Sequence, residues 1–413
     1  MTAAARATAN PHWLGWRCVV CGREFPRDHA GFVCDRCGVD GILDAVYDHP
    51  AIARGLDRAA PFPARGRPDL WRFAPLLPVV PPGPDAAWSL GDTPLHAPRR
   101  LREALGLPRL LLKDDTCLPS ASLKDRAAAM GLVHAVSVGA THLACASTGN
   151  AAASLAVLAA RAGLPATIFV PAAAPAAKLA QLVVHGAEVI RVDGTYDEAF
   201  DLSLREIAAH GWYSRNCAHN PILVEGKKTA ALEIALALGF DAPDAVFVPV
   251  GDGCIVSSTA KAFAELHALG LIAKRPRVYG VQAAGAAPLA RAWAAASAPA
   301  ALDGPAILRA VTPVAPHTVA DSISVGIPRN RVKAWQYVAA SGGGFLSVPD
   351  AAILAAIGQL ARLAGVWAEP SAATALAGVI AARDAALIDP AETVVALITG
   401  HGLKDPAKGL AAT

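Results

Sequence analysis

Leu110-Leu-Leu-Lys-Asp-Asp115 leads within a few residues into Ser120-Ala-Ser-Leu-Lys-Asp-Arg126, where a helical pattern, DRAAAMGLVHAV, begins. A short apolar run that breaks at a loop and re-emerges as helix is one βα unit. The same unit recurs to the end of the chain. HLACAS (142–147), TIFVP (167–171), EVIRV (188–192), AVFVPV (245–250), RVYGVQ (277–282) and TVVALITG (393–400) read as short buried strands. Between them lie helical stretches at 151–163, 175–187, 195–211, 257–270 and 370–384. Such alternation implies an α/β fold with largely parallel sheets covered on both faces. In that class the chemistry sits at the loops after strand C-termini.

Four of those loops are unusual. Lys124 in SASLKDR opens a helix, where the dipole disfavours a cation. STGN, Ser147–Asn150, puts hydroxyls and backbone N–H groups at a helix start, a carboxylate-sized anion site. GDGCIVSS, Gly251–Ser258, carries two glycines that let backbone approach an anion closely. TGHGLKD, Thr399–Asp405, follows the last strand.

Composition removes other classes. The chain has 413 residues and is 54% hydrophobic, enough to bury more than one core, so disorder is excluded. Lys and Arg number 37 against 34 Asp and Glu, too even a balance for a protein that binds nucleic acid by releasing counterions. The uncharged run 127–160 is interrupted by Gly131, Gly139, His142 and STGN, and reads as helix, strand, loop and helix, not as a membrane span. The opening MTAAARATAN has one arginine, Arg6, and no apolar h-region, so the expected location is cytoplasmic. Eight prolines between Pro61 and Pro84 mark residues 50–87 as a connector with few helix nucleators. The Ala-rich stretch 283–301 reads as compositional bias.

Cys18, Cys21, Cys34 and Cys37 form two C-x-x-C pairs separated by twelve residues. Two such knuckles present four thiolates tetrahedrally to one zinc ion, and Gly22 and Gly38 supply the backbone freedom each knuckle needs. Four protein ligands leave no open position, so the metal is read as structural. Cys117, Cys145 and Cys217 are most simply small core residues, and Cys254 serves through its backbone N–H.

Together these loops resemble the tryptophan-synthase-like fold of pyridoxal-phosphate enzymes, and most closely the threonine synthase family. The resemblance runs in order through GDTPL (91–95), SASLKDR, ASTGN, GAEVIRVDG (186–194), EGKKTAALEI (225–234), the glycine loop, EPSAA (369–373) and TGHGLKDP, and such chains often carry an amino-terminal cysteine ribbon. It implies two parallel-sheet α/β domains plus a small zinc ribbon, divided as ribbon 1–50, Pro-rich linker 51–87 and catalytic region 88–413, with a smaller subdomain at about 130–220. It implies pyridoxal 5'-phosphate in Schiff-base linkage to Lys124, which then carries protons. Asn150 would bond the cofactor ring oxygen, Thr399 would face the pyridine nitrogen, and Gly251, Asp252, Gly253, Cys254 and Ile255 would cradle the phosphate. Ser147, Thr148 and Gly149 would grip the substrate carboxylate, and Ser122, two residues before the lysine and counted among the substrate-binding residues, would help fix the Schiff base or bind phosphate. The implied reaction converts O-phospho-L-homoserine and water into L-threonine and phosphate. The implied assembly is a homodimer acting on a small amino acid, with no nucleic-acid or membrane partner.

The departures from the family pattern cluster where substrate phosphate should bind. The family usually carries an arginine two residues after Asn-Pro, but here Asn220-Pro221 leads to Leu223. Leu118 and Leu123 replace the usual Asn and Phe before the lysine, and Asp252 replaces the usual Asn. These differences sustain an alternative, β-elimination or β-replacement on serine, threonine or a phosphoserine-like amino acid. Lys113, Lys178, Lys227 or Lys228 could restore the missing charge. His401 and His219 read as structural, Lys404 and Asp405 as a turn pair, and Trp335 and Trp367 as core. Glu369 is open between helix capping and cofactor positioning.

Overall fold

The alternating side chains of the central strands dictate a sheet with two buried faces. In the computed structural model, which describes residues 8–29, 31–64, 69–81 and 89–410, six strands lie in the order Gly344–Val348, Arg277–Ala283, Ala245–Pro249, Val394–Ile398, Leu110–Asp114 and Leu95–His96. All neighbours are parallel except the last pair, which is antiparallel. Val246, Val248, Val395 and Leu397 join one apolar cluster while Ala245, Phe247, Val394, Ala396 and Ile398 join another. This is the two-residue period of a strand covered on both sides. The helix Cys254–Ala268 packs on the first face and Pro370–Asp384 on the second.

A second sheet holds four parallel strands in the order Glu188–Val192, Ala166–Pro171, Leu143–Ala146 and Tyr213–Ser214. Its helices begin and end where the sequence says they should. Thr195 and Glu198 form a reciprocal capping box on Tyr196–His210, and Gly163 and Gly211 close two helices in the left-handed conformation.

Two stretches are more ordered than their composition suggests. Within 283–301, Pro288–Ala295 is a helix whose start is tied down by Gln282, whose side-chain oxygen accepts from the N–H groups of Leu289 and Ala290 at 2.9 and 3.0 Å. The connector 50–87 does more than connect. It contributes the helix His49–Gly55 and the 3₁₀ segment Leu70–Leu76, and it buries Phe62, Leu70, Phe73, Leu76 and Leu77 in the main core; residues 65–68 and 82–88 lie outside the described set.

At the amino terminus, Glu24–Phe25, Trp13–Cys18 and Leu43–Tyr47 form a three-stranded antiparallel sheet. Each knuckle closes identically, Gly22 N–H donating to Cys18 O and Gly38 N–H to Cys34 O, both at 2.9 Å, with φ of +74° and +60°. The four sulfurs lie within 4.8 Å of one another, and Cys21 Sγ is 3.8 Å from Cys34 Sγ. Thiolates set tetrahedrally at about 2.3 Å from zinc would be roughly 3.8 Å apart, so the donor set fits that ion. The ribbon is fixed to the body by buried charge. Asp44 meets Lys261 and Lys333 at 2.7 and 2.5 Å, and the Tyr47 hydroxyl donates to Glu225 at 2.8 Å.

A second buried network anchors the loop that carries Lys124. Arg126, wholly buried, bonds Asp115 at 2.8 Å and both oxygens of Glu233 at 2.6 and 2.8 Å. Lys113 meets Glu233 at 2.6 Å, and the N–H groups of Asp92 and Thr93 donate to the same carboxylate. Burial alone would raise Glu233, but the attraction of Arg126 and Lys113 outweighs it and holds the carboxyl down at about 2. Residues from GDTPL, LLLKDD, SASLKDR and EGKKTAALEI thus converge on one knot of charge.

Candidate active site

Lys124 starts the helix Lys124–Ser137, immediately beyond a loop stitched to the end of strand Val394–Ile398. Leu123 N–H donates to Thr399 O at 2.9 Å, His401 N–H donates to Ala121 O at 3.0 Å, and Ser122 pairs with Gly400. Ala121 takes φ of +60°, a strained conformation for a residue with a side chain, and Asp125 accepts from Ser120 N–H at 2.6 Å to hold it there. Two neighbouring strand ends therefore fix the lysine's position.

The cavity at these strand ends is lined by Lys124, Asn150, Gly251, Asp252, Gly253, Cys254, Ile255 and Thr399 together. Gly253 has φ of +89°, and a Cβ there would stand 2.8 Å from Ala334 Cβ, so only glycine fits the turn into Cys254–Ala268. The first N–H of that helix used within the helix is Ser257, bonded to Gly253 O. The preceding N–H groups face the cavity mouth as a phosphate-sized cradle. Asp252 does not spoil it, because its carboxylate accepts from Arg329 N–H at 3.2 Å.

Beside this cavity lies a chamber of about 410 Å³ that Lys124 and Asn150 share with Ser147, Thr148, Gly149, Arg215 and Cys217. Ser147 Oγ accepts from Gly149 N–H at 3.1 Å at the start of Asn150–Ala162. Ser122 lies apart from these groups. It is fully buried behind the lysine, 3.4 Å from Ser120 Oγ, and lines neither space, so a direct substrate contact for it is not supported.

Electrostatics mark the same place. Burial pushes the Lys124 amine down, with Lys227 and Arg215 adding to the effect. Burial pushes Glu369 up to about 7, against the hydrogen bond from Asn150 and the attraction of Lys404 and Lys124. Asn150 Nδ2 donates to Glu369 Oε1 at 2.8 Å, and the Glu369 carboxylate makes no capping bond to the helix Pro370–Asp384, so it faces Asn150 and the cavity. The raised value means that the folded state keeps a proton the unfolded chain releases. Stability is then retained below the ordinary value of 4.5 and lost as pH rises from there through about 7. In cofactor-free protein, Glu369→Gln should remove this slope, worth at most about 3 kcal/mol, from thermal melts taken across that window.

Of the lysines that could replace the missing guanidinium, the structure separates three. Lys113 is bonded to Glu233, and Lys228 to Glu225 and Glu265, whereas Lys227 meets, among the described residues, only the sulfur of Cys217, at 2.8 Å. The side chain of Lys178 lies outside the described set. Leu223 is buried against the lysine helix, its Cδ2 lying 2.7 Å from where a Cβ on Gly131 would stand. Cys217 is therefore a cavity residue and not simple core, and hydrogen bonding from Cys254 and the nearby cations pull its thiol well below the usual range. Cys117 is exposed, its thiol resting on Asp114 O. Lys404 reaches Gln181 at 2.6 Å and does not pair with Asp405. His401 caps a turn through Leu403 N–H, His219 packs edge-on against Phe32, and Trp335 is core. Arg215, Tyr196, Ser322 and Ser371 also line these spaces and were not singled out in the sequence. For Arg215 a signal existed, since it is the single Arg, Lys, Asp or Glu in Trp212–Pro221.

Residues 89–400 match the family model described as pyridoxal-phosphate dependent enzyme. The chain is 37% identical to the threonine synthase of Methanosarcina acetivorans over 94% of its own length and 92% of the relative's. It is 34% identical to that of Methanocaldococcus jannaschii over 96% and 94%, and 39% identical to that of Mycobacterium tuberculosis H37Rv over 78% and 84%. Among solved structures, the processed form of threonine deaminase isoform 2 from Solanum lycopersicum superposes with a TM-score of 0.65 at 23% identity, covering 78% of this chain and 87% of that one. Maize serine racemase superposes at 0.63 and 21%, covering 75% and 87%. These two likenesses are of fold.

Proposed function

Because this chain belongs to the pyridoxal-phosphate dependent enzymes, as a carbon–oxygen lyase of the threonine synthase kind, we propose that it converts O-phospho-L-homoserine and water into L-threonine and phosphate. The observation that carries this reading is the convergence of Lys124, Asn150, the Gly251–Ile255 turn and Thr399 on one cavity, in a chain whose full-length relatives are threonine synthases. Those relatives weigh against the elimination or replacement alternative.

Pyridoxal phosphate, when bound, supplies an electron sink that acidifies the substrate at Cα and then at Cβ. The N–H groups of Gly253 to Ile255 would hold its phosphate, Asn150 its ring oxygen, and Lys124 its aldehyde carbon. Thr399 would offer the pyridine nitrogen a neutral hydroxyl, which does not hold the ring protonated and so favours elimination over transamination. Lys124, its amine depressed by burial, is suited to accept and return protons at Cα and Cβ near neutral pH. Ser147, Thr148 and Gly149 would orient the substrate carboxylate at the start of their helix, and the narrow chamber would restrict which nucleophile reaches Cβ. Phosphate release from O-phosphohomoserine with equimolar threonine is the expected result. Release of 2-oxoacid from serine or threonine at a higher kcat/KM would refute it.

The four ribbon thiols are proposed to hold one structural zinc. Metal analysis should give about one zinc per chain. Cys21→Ser should lose it and lower Tm, because the ribbon's Asp44 and Tyr47 close the buried network with Lys261 and Glu225. The same reading carries a homodimer in the cytoplasm, which light scattering and fractionation would check.

A further inference from the structure

Two fully buried cations at the site lack any carboxylate among the described residues. Arg215 continues the short strand Tyr213–Ser214, its N–H donating to Ala144 O at 2.8 Å. Its side chain is 0% exposed; Nη2 donates to Lys124 O at 3.3 Å, while Nε and Nη1 have no partner. Lys227, at the end of the helix Ile222–Lys227, is equally buried and meets only Cys217. Elsewhere in the interior the rule is different. Arg126, Lys113, Lys228, Lys261 and Lys333 each rest on a carboxylate. Burying an unpaired cation is costly, so the Arg215 guanidinium left bare at the chamber wall identifies where an anion enters, with the Lys227 amine held behind it on Cys217.

Two of the anions required by the proposed reaction already have places. The cofactor phosphate has the turn at Gly253, and the substrate carboxylate has the helix start at Ser147–Gly149. We propose that Arg215, with Lys227 next to it across Cys217, holds the distal phosphate of the substrate. It would thereby do from the opposite side of the chamber what Leu223, turned toward Gly131, cannot. A planar guanidinium with free donor nitrogens matches a phosphate better than a point charge does. The inference rests on the phosphorylated-substrate reading and deepens it, by assigning the specificity to a position outside the family's usual one.

The test titrates the absorbance of the loaded enzyme with 2-amino-5-phosphonopentanoate, which cannot be cleaved, and with norvaline, which has the same carbon chain without the phosphonate. Wild-type protein should prefer the phosphonate by about a hundredfold or more, and Arg215→Met should reduce that preference to within about threefold while norvaline binding and colour persist. Should Arg215→Met lose its colour, Arg215→Lys decides. Its shorter point charge should cost about tenfold in the preference and leave norvaline unchanged. An undiminished preference in either coloured variant overturns the role of Arg215 and leaves the phosphorylated substrate standing. No preference in the wild type overturns the phosphorylated substrate itself.

Discussion

Lys124→Ala should give a folded but catalytically dead protein, with turnover down by at least about 10⁴ and no absorbance from a cofactor bound to the chain. The size follows from two losses at once, the covalent anchor and the only amine, among the described residues, placed at the junction of the cofactor cavity and the substrate chamber. Neither Thr399 nor Glu369 can replace a group that must both attack a carbonyl carbon and carry protons. Stability should hold or rise slightly, because burial already disfavours the charged amine and its removal orphans no carboxylate. Thermal melts and a phosphate-release assay on the same preparation separate this outcome from simple unfolding. Retained turnover would mean that the chemistry runs elsewhere.

Two residues further on, Arg126→Ala should fail in the opposite way, by unfolding. Its guanidinium is the hub between Asp115, Glu233 and Thr93, all buried. Deleting it strands Asp115 in the interior and leaves Glu233 with Lys113 as its one remaining cation among the described residues, at a cost of roughly 3–5 kcal/mol, against a total stability of roughly 5–15 kcal/mol for a typical domain. Arg126→Lys keeps the charge but loses the fork to both carboxylates, and should fall between. Denaturant melts on the cofactor-free variants measure this directly. Equal midpoints for wild type and Arg126→Ala would show that the knot contributes nothing. The SLKDR run thus divides into a lysine spent on chemistry and an arginine spent on holding that lysine in place.

Seven strands of the two sheets were legible because each is a short, largely apolar run bounded by turn residues, whereas Leu95–His96 and Tyr213–Ser214, two residues each, are too short to carry a pattern. Gly344–Val348 was not legible either, since an edge strand opening on three glycines, with its fourth residue exposed, carries half the pattern. Helices such as Arg331–Ala340 were missed for a related reason. They are polar and apolar on no clean period, and tertiary packing on the sheet decides them. The site divides in the same way. Lys124, Asn150, the glycine turn and Thr399 sit in loops whose local composition is peculiar, and the structure brings them to one cavity. Arg215 has meaning only through what it lacks among the described residues, a carboxylate, and that absence is a property of the folded interior. Glu369 lay between, its proline-led helix start being visible but its bond to Asn150, 219 residues away, being purely tertiary.

The most direct test of the account is borohydride reduction of the purified yellow protein followed by peptide mapping. A reduced pyridoxyl group on the peptide containing Lys124, and on no other lysine, is the predicted result. A label on Lys227, on Lys404 or on no lysine at all would contradict it.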